Sequence, residues 1–98
     1  MRTYTFSVKD KSYTLKYNFN AIVDIEDTLK KPITQLVQSD QFGLREIRAI
    51  LWGGLKWENN GLTLQQTGFL IDDYTQEQPL SDLLENAIKL IADSINVK

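Results

Sequence analysis

Cysteine and histidine are both absent from this 98-residue chain. Without cysteine there is no disulfide, no thiolate zinc site and no thiol nucleophile. Without histidine the commonest general base and the commonest transition-metal ligand are gone, leaving only carboxylates, lysines, tyrosines and hydroxyls for any chemistry. These absences argue against an enzyme, and no cofactor or metal site is expected. Long apolar runs are missing too: nothing approaches the ~20 residues that span a bilayer. The opening Met1-Arg2-Thr3-Tyr4-Thr5-Phe6 has no signal-peptide core, so a soluble intracellular protein with no membrane partner is expected. Nor is there an excess of positive charge, with 11 basic against 13 acidic side chains and a net charge of −2. Lys9, Lys11, Lys16, Lys30, Lys31 and Lys56 are scattered among acids. Nucleic-acid binding needs a clustered basic face, so none is expected.

What the chain does have is enough apolar content, 42 %, for one core. A chain of this length buries roughly 60–70 % of its unfolded surface. The pattern predicts a single α+β domain over 1–98: a β-hairpin over 1–17, then a helical part over 18–98 of about five helices. In the hairpin, Tyr4, Phe6 and Val8 alternate with polar residues, as do Tyr13, Leu15 and Tyr17. A four-residue polar turn, Lys9-Asp10-Lys11-Ser12, is expected between them. A lone hairpin is marginal in water, so its apolar face must lie on helices or pair with another chain.

Asn18 or Asn20 can cap the first helix, whose spacing predicts a buried stripe of Phe19, Ile22, Val23, Glu26 and Leu29. Pro32 stops that helix and opens a short one over Ile33 to Val37. After the loop Ser39 to Gly43, the residues Ile47, Ile50, Leu51, Gly54 and Leu55 form a second stripe, which Glu58-Asn59-Asn60-Gly61 terminates. Thr63-Leu64-Gln65-Gln66 has the form of a capping box. Its helix is expected to reach about Asp73 and to bury Leu64, Gly68 and Ile71. Pro79 and Ser81 introduce a last helix with Leu80, Leu83, Leu84, Ala87, Ile88, Ile91, Ala92 and Ile95 on one face.

Few residues stand out as chemistry. Asp24, Glu26 and Asp27 do not form a catalytic pair with a nucleophile; a solvated helix face, with Glu26 bonding to another element, is the simpler reading. Asp72-Asp73 lacks the ligand spacing of a calcium loop and reads as a helix end. Gly53-Gly54 has no phosphate-loop pattern around it. Each glycine costs about 0.5–1 kcal/mol against alanine in a helix, so close packing must offset it, from inside the domain or from a partner helix. Trp52 and Trp57 lie five positions apart and cannot share a helix face. Each is open to two readings, core residue or interface anchor. The long stripe of the last helix poses the same choice: it covers the hairpin, or its end docks on a partner.

One resemblance gathers several of these segments. A hairpin leads into Phe19-Asn20-Ala21 with Glu26 following; a helix then ends in Trp52-Gly53-Gly54-Leu55; then comes Leu62-Thr63, Gly68 and Ile71-Asp72. This order, from Asp10 to Ile95, resembles the small tail assembly chaperones of tailed phages and gene transfer agents. The second glycine, Gly53, and the polar insert at Asn59-Asn60 depart from that pattern. The resemblance implies a binding protein without catalytic residues, which holds the helical tape-measure protein soluble in the bacterial cytoplasm while the tail tube forms. The tape-measure protein, and also the tail tube protein, are the partners it implies, with self-association left open. The client would be met by apolar parts of the third to fifth helices, with Trp52, Gly53, Gly54, Leu55, Trp57 and Phe69 at or beside the contact. Two rivals stand beside it: a tail-tube or tail-completion protein retained in the virion, and a small hydrolase or nucleotide-binding protein.

Overall fold

A computed structural model describes residues 2–58 and 61–96. The insert residues Asn59 and Asn60 lie outside this range. The described residues form an N-terminal hairpin followed by five α-helices, an α+β fold. Strands β1 (Tyr4–Val8) and β2 (Lys11–Leu15) pair antiparallel, with Phe6 opposite Tyr13 and Tyr4 opposite Leu15. The helices are α1 (Phe19–Leu29), α2 (Ile33–Gln38), α3 (Leu44–Leu55), α4 (Leu64–Thr75) and α5 (Leu80–Ile95), and a single 3-10 turn (Lys56–Glu58) follows α3.

The hairpin turn is tighter than its sequence suggests. Lys9 and Asp10 alone make it, both with positive φ (47° and 68°), and Lys11 and Ser12 already pair with Val8 and Ser7. Two left-handed residues give a turn whose twist matches the flanking strands, which outweighs their local strain. The apolar face carries Phe6, Val8, Leu15 and Tyr17 into the core as the alternation requires.

Local signals at the helix starts act as expected. The Asn18 side chain accepts the Ala21 N–H at 2.8 Å and caps α1. Thr63 and Gln66 form the reciprocal capping box of α4. Pro32 and Pro79 occupy the N-cap positions of α2 and α5. At the start of α3, Glu46 accepts the Gly43 N–H at 2.8 Å and pairs with Lys31. These bonds hold its carboxyl below the usual range, the Lys31 bond first. Glu26 also reaches another element, accepting the Ile33 N–H at 2.6 Å where α2 begins.

Two of the expected stripes are rotated. In α1 the buried residues are Ala21, Ile22 and Ile25, whereas Phe19 is 79 % exposed. In α4 the buried residues are Thr67 and Tyr74, while Leu64, Gly68 and Ile71 are half-buried. Thr67 tolerates full burial because its hydroxyl donates to the Thr63 carbonyl at 2.9 Å. Tyr74 meets the Phe6 ring edge-on, with centroids 5.7 Å apart. Asp72 and Asp73 lie within α4, and Asp73 pairs with Lys9 at 3.2 Å across to the hairpin. In α5, Leu83, Ala87 and Ile91 are buried as expected and Leu90 joins them.

Candidate functional site

α3 is the central element, and its two halves have different surroundings. Near its C-terminal end the helix backbone is pressed against the hairpin and α1. A side chain at Gly54 would place its Cβ 2.6 Å from Cζ and Oη of Tyr17 and 2.9 Å from Cδ2 of Leu15. At Gly53 it would strike Ile25, with Cδ1 at 2.6 Å. Only glycine permits this approach. The Tyr17 hydroxyl donates to the Ile50 carbonyl at 2.8 Å, the Lys16 N–H donates to the Gly54 carbonyl at 2.9 Å, and the Ser94 hydroxyl donates to the Tyr17 carbonyl at 3.0 Å. Tyr17, just past β2, thereby ties the hairpin to α3 and α5, and burial pushes its phenol well above the ordinary value of 10.0.

This packing places three of the six expected contact residues inside the domain. Gly53, Gly54 and Leu55 are buried, and what offsets the two glycines comes from inside the domain. Trp52 is half-buried; its indole N–H donates to the Leu62 carbonyl at 3.1 Å, and the Lys56 ammonium lies 4.3 Å from the ring centroid. Trp57 is 39 % exposed, but its indole N–H donates to the Thr14 carbonyl at 2.9 Å on the outer edge of β2, and Lys16 covers the ring. Both tryptophans therefore have structural work on the domain. Phe69 remains as a free aromatic side chain, 60 % exposed.

Phe69 opens onto a groove that the sequence alone did not reveal. The groove, of about 490 Å³, runs between the N-terminal half of α3 and the outer flank of α4. Leu44, 80 % exposed, stands on the α3 bank and Phe69 on the α4 bank, with Ile47 and Ile71 between them. Arg45 and Arg48 line the α3 wall and Gln65 and Asp72 the α4 wall. Gly68 leaves the wall low, since a Cβ there would meet only Arg48 Cδ at 3.7 Å. The arginines form no ion pair among the described residues. Arg48 Nε is buried and, among the described residues, is the one buried side-chain polar atom without a hydrogen-bond partner. Helical spacing could have pointed here: Arg45, Arg48 and Trp52 share the flank of α3 opposite its core stripe, as Gln65, Phe69 and Asp72 share the outer flank of α4.

A larger groove, of about 770 Å³, lies between α1, α2 and the end of α5, with Phe19, Val23 and Ile95 in its lining. Its polar side chains are engaged: Glu26 with the Ile33 N–H, Arg2 with Asp93 at 2.5 Å, and Ser94 with the Tyr17 and Leu90 carbonyls. The acids of α1 do not work together, since Asp24 pairs with Lys56 at 2.5 Å while Glu26 turns to α2. Among the described residues, no group of three acidic side chains is placed to hold a metal ion, and no helix is long and apolar enough to cross a membrane.

Comparison with protein-family models, with curated proteins and with solved structures found no match for this chain.

Proposed function

We propose that this chain is a tail assembly chaperone of a phage or prophage, which binds the helical tape-measure protein and keeps it soluble while the tail tube assembles. It acts by binding in the host cytoplasm, without catalysis. The order of sequence segments suggests the family, and one structural observation supports a binding role: the α3–α4 groove exposes Leu44 and Phe69 on facing banks above an apolar floor. Large exposed apolar side chains around a concave surface mark interaction sites. A client helix would lay its apolar stripe between them, as amphipathic helices do in hydrophobic grooves. The client surface is thus centred on Phe69 and Leu44, with Trp52 farther along the same flank of α3.

Co-expression with a long helical candidate tape-measure protein tests the reading. A stoichiometric complex that holds an otherwise insoluble tape-measure protein in solution is the expected result. A chain that purifies alone, with the client insoluble in its presence and absence alike, contradicts it.

The reading of a tail-tube or tail-completion protein draws on a different feature. The sheet has only two strands, and no backbone hydrogen bond reaches the outer edge of β1 from another element among the described residues. A second copy could add a strand there. Rings or filaments of the isolated chain in light scattering would favour that reading over the chaperone.

A further inference from the structure

We infer that the α3–α4 groove selects its occupant by charge as well as by apolar fit: it takes an amphipathic helix that carries carboxylates beside its apolar stripe, and Arg48 reads them. The inference rests on the groove being a client site, but it concerns what that client must present.

Two properties of the groove lead to a helix. Both walls are helices, whose backbone N–H and C=O groups are bonded within their own turns. An extended peptide laid between them would leave its own backbone polar groups unmatched, whereas a helix brings them already satisfied. The flanks are also the natural seat for a third helix, with Leu44 and Phe69 as the ridges it must pack between.

Charge follows from Arg48. A guanidinium offers five donors in a planar fork that matches a carboxylate. Arg48 lines the groove and forms no ion pair among the described residues. Its neighbour Arg45 on the same wall is also without an ion-pair partner among the described residues, so the wall presents two uncompensated cations. Asp72 faces them from the α4 wall without coming within ion-pair distance of either. A carboxylate on the occupant, placed next to its apolar residues, would pair with the terminal guanidinium nitrogens of Arg48, with Arg45 beside it. A basic helix would bring repulsion to the same place.

The test uses the intact chain and three labelled helical peptides of about 20 residues. They share one leucine stripe and differ only in carrying glutamate, glutamine or lysine beside it. Fluorescence anisotropy at low and high salt gives the affinities. The expected result is that the glutamate peptide binds about 10–100-fold more tightly than the glutamine peptide, the value of a charge-assisted hydrogen bond. The lysine peptide should bind weakest. Arg48→Met, which keeps the bulk of the side chain, should weaken the preference and Arg45→Met with Arg48→Met should erase it, while the Tm of the free domain stays unchanged or higher. Asp72→Asn should tighten binding of the glutamate peptide, because it removes a competing negative charge. Equal affinities for the three peptides would overturn the inference. So would a loss of Tm in both Arg48→Met and Asp72→Asn, which would make the two residues an internal pair. Charge discrimination by the peptides with no tape-measure complex would keep this inference and remove the chaperone reading; the reverse pattern would do the opposite.

Discussion

The two halves of α3 solve opposite problems with the same kind of residue. At its C-terminal end, Gly53 and Gly54 exist because Ile25 and Tyr17 occupy the space their side chains would need. Beside its N-terminal half, Gly68 of α4 faces nothing tighter than the Arg48 side chain at an ordinary contact distance. The first region is a closed seam, in which backbone, phenol and aliphatic side chains interlock and the Tyr17 hydroxyl and carbonyl and the Lys16 N–H each have a partner. The second is an open groove that keeps Leu44 and Phe69 in solvent and a guanidinium nitrogen unmatched. A glycine in a helix is thus not a signature of partner binding by itself: what its missing side chain makes room for decides its meaning.

Substitutions should separate the two regions sharply. The largest effect on folding is expected from Gly54→Ala. Its new methyl group would have to displace a fully buried, hydrogen-bonded Tyr17, and overpacking of this kind costs about 3 kcal/mol even after the gain in helix propensity. Urea denaturation would read it as a large drop in midpoint. In the groove, Phe69→Asp should do the reverse. Stability of the free domain should stay within about 0.5 kcal/mol, as for exposed positions in general, while client binding falls more than about tenfold.

Tyr17→Phe is a milder probe of the seam. Losing the bond to the Ile50 carbonyl should cost about 1 kcal/mol. The same variant tests the buried phenol. Because burial raises its pKa in the folded protein, the stability tied to its neutral form is fully present below the ordinary value of 10.0 and is lost as pH rises above it. Tyr74 shifts in the same direction, first through burial, so the fall should become shallower in Tyr17→Phe without vanishing. Stability curves measured from neutral pH to beyond 10 would show a steeper alkaline decline for the parent chain. The smallest effect is expected from Gly68→Ala, with a gain of about 0.5–1 kcal/mol because a better helix former meets no obstruction. A loss as large as that of Gly54→Ala would erase the distinction between seam and groove.

Much of the fold was legible because its signals are local. Alternation in the hairpin, the Asn18 cap, the Thr63–Gln66 box and the prolines before α2 and α5 each act within a few residues. The turn was misjudged because Lys9 is an unusual residue for positive φ, and the twist of the paired strands decided its conformation. The reason for Gly53-Gly54 was not legible, since Tyr17 and Ile25 reach α3 across a long stretch of chain. Phe19 reads as core by spacing, yet Ala21 and Ile25 turn α1 the other way to meet Gly53. Of the expected contact surface, Phe69 keeps its exposure; Leu44 and Arg48 were visible only as residues off the core stripe, and the groove between them needed α4 in place.

If the α3–α4 groove holds a helical client, disabling it must release that client. The most direct measurement is the amount of tape-measure protein kept in solution by the parent chain and by a Leu44→Asp/Phe69→Asp variant with the same Tm. A soluble stoichiometric complex is expected for the parent chain, with client left in the pellet for the variant. A variant that holds the client as fully as the parent chain would contradict that expectation.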